Sequence, residues 1–189
     1  EVIAMLRILL SVAAFATVTL ATPASAASDD AIVYVVKRGD TLIELGEKYF
    51  ARGTSYQQVQ KANGIKNPQF MPVGTRLKIA RNLLKYEASS ARLIAVRGDV
   101  VIVRGSARSA AASGASLNEG ASIKTANSSF ATLSLENGSR VSLPSNSDLK
   151  IVRLRKYLID SSLDYDFDVG RGGAQSKVAP LKNPNDRYI

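Results

Sequence analysis

The sequence contains no cysteine and no histidine. Without cysteine it has no disulfides, no thiolate nucleophile and no cysteine ligands for zinc or an iron–sulfur cluster. Without histidine it has neither a Ser-His-Asp triad nor an ordinary catalytic zinc site. The chemistry that remains uses carboxylates, lysine or tyrosine. The composition therefore favours a binding protein, and we predict no cofactor and no metal.

The chain is basic. Its 189 residues include 25 lysines and arginines against 16 acidic residues, a formal net charge of +9. This charge suits an acidic partner such as nucleic acid, anionic lipid or an anionic wall polymer, and it equally suits simple solubility. The charges are spread along the chain, with one tight cluster at Arg153, Arg155 and Lys156, and aromatic residues rarely alternate with them. We therefore predict no nucleic-acid partner.

Residues 1–26 have the pattern of a secretory signal peptide. Arg7 provides a positive start, Ile8 to Leu20 is an apolar stretch, and Ala24-Ser25-Ala26 fits a signal-peptidase site. The stretch is shorter than the roughly 20 apolar residues of a spanning helix. An uncleaved amphipathic anchor is the alternative. We predict export to the periplasm or the extracellular space, with membrane contact only through the signal peptide before cleavage.

Residues 32–80 predict the order strand, helix, helix, strand. Ile32 to Val36 is a β-branched and aromatic run, and Arg76 to Ile79 alternates as a return strand. Between them, two capping boxes that begin at Thr41 and Ser55 mark two helix starts. Two end strands with two covering helices give a small βααβ unit.

Three ordered stretches in this block carry a family resemblance. They are Val35 to Leu42, Lys61 to Ile65, and Asn67-Pro68 with Gly74 to Ile79. The block resembles a LysM (lysin motif) domain. The resemblance implies a domain that binds N-acetylglucosamine-containing glycans, either peptidoglycan or a chitin-like polymer. It places the binding groove at the loop after the first strand and the loop after the second helix.

Carried over by position, the resemblance implies a groove with two walls. The first wall consists of Gly39, Asp40, Thr41 and Leu42. The second wall consists of Ile65, Asn67, Pro68, Gln69, Phe70 and Met71. Several of these residues have structural alternatives: Asp40 and Thr41 as helix caps, Pro68 as a turn residue, and Phe70 and Met71 as core residues.

The second half of the chain predicts strands only. Residues 81–91 form a charged, Ala/Ser-rich linker, and a β domain follows over 92–180. Asn137-Gly138 between two alternating runs is a strong hairpin signal. Arg97-Gly98-Asp99 predicts a turn, and the Ala/Ser/Gly-rich segment from Ser106 to Ser116 predicts a loop. Short strands with frequent turns indicate a β-sandwich or a rolled sheet.

A second resemblance rests on Val96 to Val100, Leu117 to Thr125 and the hairpin Leu133 to Leu143. These stretches resemble a FecR-like domain, so the predicted fold class is α+β, a βααβ LysM domain followed by an all-β FecR-like domain. Members often continue with further strands, and we interpret residues 181–189 as a tail at which the sheet is truncated. The resemblance implies an interaction or sensing platform with an envelope protein partner. The alternative is an envelope signalling regulator that acts through a membrane partner.

The carboxylates of the β domain offer little catalytic chemistry. Glu119 and Glu136 flank turns, and a glycosidase that uses such a pair is the less favoured alternative. The sequence as a whole predicts a non-enzymatic, exported, wall-associated binding protein.

Three aspartates alternate along one segment and raise the question of a calcium site. Asp164, Asp166 and Asp168 would stand about 7 Å apart along a strand, which is far for shared coordination. We predict instead a solvated face opposite basic residues such as Lys150 or Arg153.

Overall fold

The computed structural model describes residues 30–189, so the predicted signal peptide over 1–26 lies outside the described residues. The described chain begins with a small unit of two strands and two helices and continues as a region of strands. Across residues 30–189 no helix has both the length and the apolar character needed to span a membrane.

The first unit has the predicted order strand, helix, helix, strand. Its elements are β1 (Ala31–Val35), α1 (Leu42–Tyr49), α2 (Tyr56–Ala62) and β2 (Arg76–Ala80). The two strands are antiparallel neighbours over their whole length. Alternate residues of each strand are buried, because successive side chains point to opposite faces and the helices cover only one face.

Both helices begin at the residues that the sequence predicts. Thr41 Oγ1 accepts a hydrogen bond from the Glu44 N–H over 3.1 Å, and Ser55 Oγ accepts from the Gln57 N–H over 3.2 Å. Each cap satisfies one of the backbone donors that a helix leaves free at its start and stabilises the helix by about 1 kcal/mol. Thr41, and not Asp40, is therefore the cap of α1.

Two asparagine side chains pair with the outer edges of the two-stranded sheet. Asn63 Nδ2 donates to the Lys78 carbonyl over 2.9 Å, and its Oδ1 accepts from the Lys78 N–H over 2.7 Å. Asn185 repeats this arrangement on the other edge, where it binds the Val33 N–H at 3.0 Å and the Val33 carbonyl at 3.1 Å. Val33 and Lys78 are cross-strand partners, so the outward-facing peptide groups at the middle of both strands are satisfied.

The remaining strands form two further sheets. In chain order they are β3 (Tyr86–Ala88), β4 (Ala91–Arg97), β5 (Val100–Arg104), β6 (Ala107–Ala110), β7 (Ser116–Leu117), β8 (Ala121–Thr125), β9 (Phe130–Leu135), β10 (Arg140–Leu143), β11 (Asp148–Tyr157), β12 (Leu163–Arg171), β13 (Gln175–Lys177) and β14 (Arg187–Tyr188). The smaller sheet has the order β13-β10-β9-β4-β7. The larger has the order β14-β12-β11-β8-β5-β6, and β3 also pairs with β11.

The inner faces of the two sheets enclose one apolar core. Leu93 and Leu133 of the smaller sheet and Ile123 and Ile151 of the larger sheet are buried in it. The predicted hairpin at Asn137-Gly138 joins β9 and β10, which confirms that signal. The predicted turn around Gly98 is also present, and it carries the chain from the smaller sheet to the larger one, since β4 and β5 lie in different sheets.

The segments predicted as a linker, a loop and a tail each contain a strand. The linker 81–91 contains a 3-10 turn (Arg81–Leu83) and strand β3. The predicted loop from Ser106 to Ser116 contains β6, which pairs with β5 although its side chains are all exposed. The predicted tail 181–189 contains β14, which lies parallel to β12. Backbone pairing forms these strands. The side chains of β3 and β6 are exposed and β14 has only two residues, so none of the three leaves an apolar alternation in the sequence.

The first unit and the β region share a core. Residues of β1, α1, α2 and β2 form the apolar cluster of the first unit, and Leu84, Tyr157 and Ile159 belong to the same cluster. Tyr157 is buried, and it comes from the end of β11. The β11–β12 hairpin therefore supplies part of the core of the first unit, and the linker segment supplies another part.

Asp164 is buried between charged groups, so the predicted solvated face is wrong for this residue. Its side chain is 0% exposed, and Arg187 binds it through Nε and Nη2, both at 2.8 Å. Asp166 is bound by Arg153 at 2.6 Å, and Asp168 lies opposite Lys150 in the β11–β12 register, which confirms the predicted basic neighbours. Buried carboxylates require such partners because their desolvation is costly.

Candidate functional site

The two loops of the predicted groove lie next to each other. The Leu42 N–H, at the start of α1, donates to the Pro68 carbonyl in the α2–β2 loop over 2.8 Å. The N–H groups at the start of a helix have no partner within the helix, so this donor is available to fix a neighbouring loop. The structure thus brings the two predicted walls together.

The loop after β1 is closed by the carboxylate of Asp40. Its Oδ2 accepts from the Lys37 N–H and from the Tyr34 hydroxyl, both at 2.7 Å. Burial and, after it, the hydrogen bond to Asp40 raise the pKa of the Tyr34 hydroxyl above its usual range, which keeps Tyr34 a donor. Gly39 beside this carboxylate has a φ of +90°, which favours glycine, and the space where a Cβ would stand is open.

The α2–β2 loop is shaped by short-range hydrogen bonds. Asn67 Oδ1 accepts from the Gln69 N–H over 3.0 Å, and the Asn67 carbonyl accepts from the Phe70 N–H over 3.3 Å. At the start of the loop, Ile65 and Gln60 exchange two hydrogen bonds of 3.0 Å. Asn67 and Gln69 are exposed, so this turn presents polar groups to solvent.

The structure corrects the predicted set of groove side chains at two positions. Leu42 is 0% exposed and Met71 is 6% exposed, and both pack in the apolar core of the first unit. Their side chains therefore do not line a surface groove, and the core alternative holds for Met71. Phe70, in contrast, is 74% exposed, and the neighbouring Val73 is 67% exposed. An exposed aromatic ring on a polar loop is a feature that suits ligand contact.

A second concave surface borders α1 and was not expected from the sequence. It is an open cleft of about 500 Å³ lined by Tyr34, Asp40, Glu44, Leu45, Glu47, Lys48 and Tyr49. Asp40 is the one member of the predicted set in its lining. Its charged residues follow helical spacing on α1, a pattern that in a sequence is indistinguishable from an ordinary solvated helix face.

The two glutamates considered as a catalytic pair are each bound by other groups of the β region. Arg155 binds Glu119 with both Nε and Nη2, the Nε bond being 2.7 Å long. This hydrogen bonding holds the pKa of Glu119 below its ordinary value, whereas a glycosidase acid requires a raised one. Glu136 accepts from the Ser90 N–H. Within residues 30–189, no group of three or more acidic residues is arranged to hold a metal ion.

Comparison with protein families identifies a LysM domain over residues 34–80. The matched segment runs from β1 to the end of β2 and contains both loops of the groove. LysM domains bind N-acetylglucosamine-containing glycans such as peptidoglycan, and they occur in extracellular or cell-wall-associated proteins. Neither the curated proteins nor the solved structures contain a match to the chain.

Proposed function

Because residues 34–80 form a LysM domain, we propose that this protein is an exported, non-enzymatic protein that binds peptidoglycan at the two loops flanking the helices. One observation carries the proposal. The Leu42–Pro68 hydrogen bond holds the loops together, and Phe70 stands exposed on the second of them.

The chemistry of the two loops suits an acetylated amino sugar. Such a sugar offers hydroxyls, an N-acetyl amide and an apolar face. The backbone around Gly39 and the polar turn at Asn67 to Gln69 supply hydrogen-bonding groups, and Phe70 supplies an apolar surface. A single shallow site of this kind gives a Kd in the range of about micromolar to millimolar. A repeating polymer compensates for weak single contacts by rebinding.

The narrow choice of catalytic side chains in the sequence supports a binding role. The chain has neither histidine nor cysteine. Its carboxylates at Glu119, Asp164 and Asp166 form ion pairs with arginines within the β region, so they make structural contacts there.

We assign the β region the role of an interaction or sensing platform, as the FecR-like resemblance implies. The motif residues of that resemblance fall on the Gly98 turn, on the segment from β7 to β8, and on the β9–β10 hairpin. A pull-down with residues 27–189 from envelope extracts tests this part of the proposal. Recovery of a transmembrane regulator would favour the signalling alternative.

The groove is tested by titrating residues 27–189, the predicted mature chain, with soluble N-acetylglucosamine oligomers while amide chemical shifts are followed. We expect shifts at Gly39 to Leu42 and at Ile65 to Phe70. Replacing Phe70 with alanine should raise the Kd about five- to tenfold, because an apolar contact is lost. Val73→Ala is the matched control, since Val73 is similarly exposed in the same loop but lies outside the predicted set.

Two results would contradict the proposed site. One is the absence of shifts in both loops at millimolar oligomer. The other is an equal effect of the Phe70 and Val73 substitutions, which would show that the loop responds to general surface change and not to loss of the ring.

A further inference from the structure

The outer face of the smaller sheet carries a line of basic side chains that the proposed groove does not use. In the cross-strand register, Arg92 on β4 is opposite Ser134 on β9, and Ser134 is opposite Arg140 on β10. Arg140 is in turn opposite Lys177 on β13. We refer to Arg92, Arg140 and Lys177 as the basic row.

The pleat of the sheet determines on which face the side chains of the basic row lie. The residues next to it in sequence, Leu93, Leu133 and Val141, are buried in the core, so the row faces away from the core. All three basic residues are exposed. With about 4.8 Å between neighbouring strands, the row runs for about 14 Å across the sheet.

Within the described residues 30–189, the basic row takes part in no ion pair. None of the five strands of the smaller sheet contains an aspartate or a glutamate. On this face the nearest acidic residue in sequence is Glu136, just after β9, and its carboxylate accepts from the Ser90 N–H. Every ion pair found among the described residues instead includes a residue of the larger sheet.

This arrangement carries a cost for the fold. Arg140 and Lys177 are directly opposite each other, and like charges at such positions destabilise a sheet. The sheet is more stable when an anion lies over the pair and lowers this repulsion. The larger sheet shows the ordinary solution, in which Lys124 is paired with Asp148 and Arg153 with Asp166.

Three exposed cations hold a small free anion only weakly, because exposed ion pairs contribute little in water and are screened by salt. They become effective when another site of the same protein already holds the anionic molecule nearby, because the second contact is then intramolecular. Peptidoglycan is such a molecule, since carboxylates of its peptides branch from the same polymer that carries the amino sugars.

We propose that the basic row binds the peptide carboxylates of peptidoglycan while the LysM domain binds its sugars. The inference rests on the proposed function for its choice of polymer. It makes the protein a two-contact wall binder whose affinity for peptidoglycan, unlike its affinity for an uncharged sugar oligomer, depends on carboxylates and on salt.

The test compares residues 27–189 with a triple variant, R92Q/R140Q/K177Q. The matched control is R108Q/K150Q/R171Q, which removes the same charge from exposed positions of the larger sheet. Each protein is sedimented with insoluble peptidoglycan, either untreated or with its carboxylates converted to amides, and is titrated separately with an uncharged N-acetylglucosamine oligomer.

We expect the triple variant to bind untreated peptidoglycan about fivefold more weakly than the wild type, which is ~1 kcal/mol. The control should bind like the wild type, and amidation of the polymer should abolish the difference. All three proteins should bind the oligomer equally, because it reports on the LysM groove alone. Thermal unfolding should show no loss of stability in the triple variant, since the Arg140–Lys177 repulsion is removed.

Equal binding of the wild type and the triple variant to untreated peptidoglycan would overturn the inference, and so would an equal loss in the control. The same holds if the wild type sediments equally with amidated and untreated polymer. In a further outcome, the wild type does not bind the oligomer but sediments with peptidoglycan in a carboxylate-dependent way, and the triple variant loses this sedimentation. That outcome would overturn the proposed groove and support the basic row. Absence of all binding would overturn both.

Discussion

Tyr157 links the stability of the LysM domain to the β region, and its replacement by alanine tests that link. The residue lies 77 positions beyond the end of the LysM match at residue 80, yet its ring is buried in the core of the first unit. Its hydroxyl also lies 3.3 Å from Asp164 Oδ2, to which it donates. Removal of the ring therefore acts on the unit that contains the LysM domain from a distant part of the chain.

The expected cost follows from burial. Truncation of a large, fully buried aromatic side chain lowers the free energy of unfolding by about 3–5 kcal/mol, because apolar contacts are lost and a cavity remains. That is a large share of the roughly 5–15 kcal/mol that stabilises a typical domain. Tyr157→Phe keeps the ring and removes only the long hydrogen bond, so it should cost no more than about 1.5 kcal/mol.

Urea denaturation combined with hydrogen exchange measures the effect in each unit separately. In the Tyr157→Ala variant, amides of β1 and β2 should lose protection together with those of β11. Leu158→Ala is the control, since Leu158 is the exposed neighbour in the chain and its loss should change stability by less than about 0.5 kcal/mol. Unchanged protection in β1 and β2 alongside a loss in β11 would refute the shared core.

Three further predictions address single contacts. Thr41→Ala should lower the free energy of unfolding, measured by urea denaturation, by about 1 kcal/mol, because the α1 cap is lost. Thr41→Ser keeps the hydroxyl and should leave the free energy of unfolding close to that of the wild type. Equal stability of the alanine and serine variants would refute the cap. Gly98→Ala should lower the melting temperature more than Gly105→Ala. Both glycines have a positive φ, but only a Cβ at Gly98 would meet another atom, Ser129 Oγ at 2.5 Å. Equal melting temperatures of the two variants would contradict this contact. Glu119→Gln should destabilise the protein at neutral pH, and progressively less as the pH falls below 4.5. The reason is that a carboxylate whose pKa is lowered by folding contributes stability above its unfolded-state pKa and loses it as the pH falls through its folded-state pKa. Urea midpoints measure the effect, and a destabilisation that is constant with pH would refute the Arg155 pairing.

Short-range signals in the sequence were sufficient to predict the first unit and the hairpin. The caps at Thr41 and Ser55 and the turn at Asn137-Gly138 each depend on residues within a few positions of one another. Local chemistry of this kind can be interpreted without knowledge of the fold. The two loops that connect β1 to α1 and α2 to β2 follow from the same signals, since each is bounded by a strand end and a helix end.

Local signals of this kind do not predict contacts between residues that are distant in the sequence. Nothing near Asn185 or Tyr157 in the sequence indicates that both belong to the first unit, because their partners lie more than 70 residues away. The orientation of neighbouring loop residues was equally undetermined: Phe70 is exposed and Met71 is buried, although the sequence allowed either residue to be core. The basic row depends on register, which places Arg92, Arg140 and Lys177 side by side from three separate segments.

The asparagine pairs on Val33 and Lys78 have a consequence for self-association. A two-stranded sheet ordinarily exposes unpaired peptide groups on both sides, and these can recruit strands from other chains. Here Asn63 and Asn185 occupy those groups at the centre of each strand, so an incoming strand finds no continuous set of partners. One of the two blocking residues comes from the last five residues of the chain, so a recombinant fragment that stops at residue 180 would expose β1 and favour aggregation.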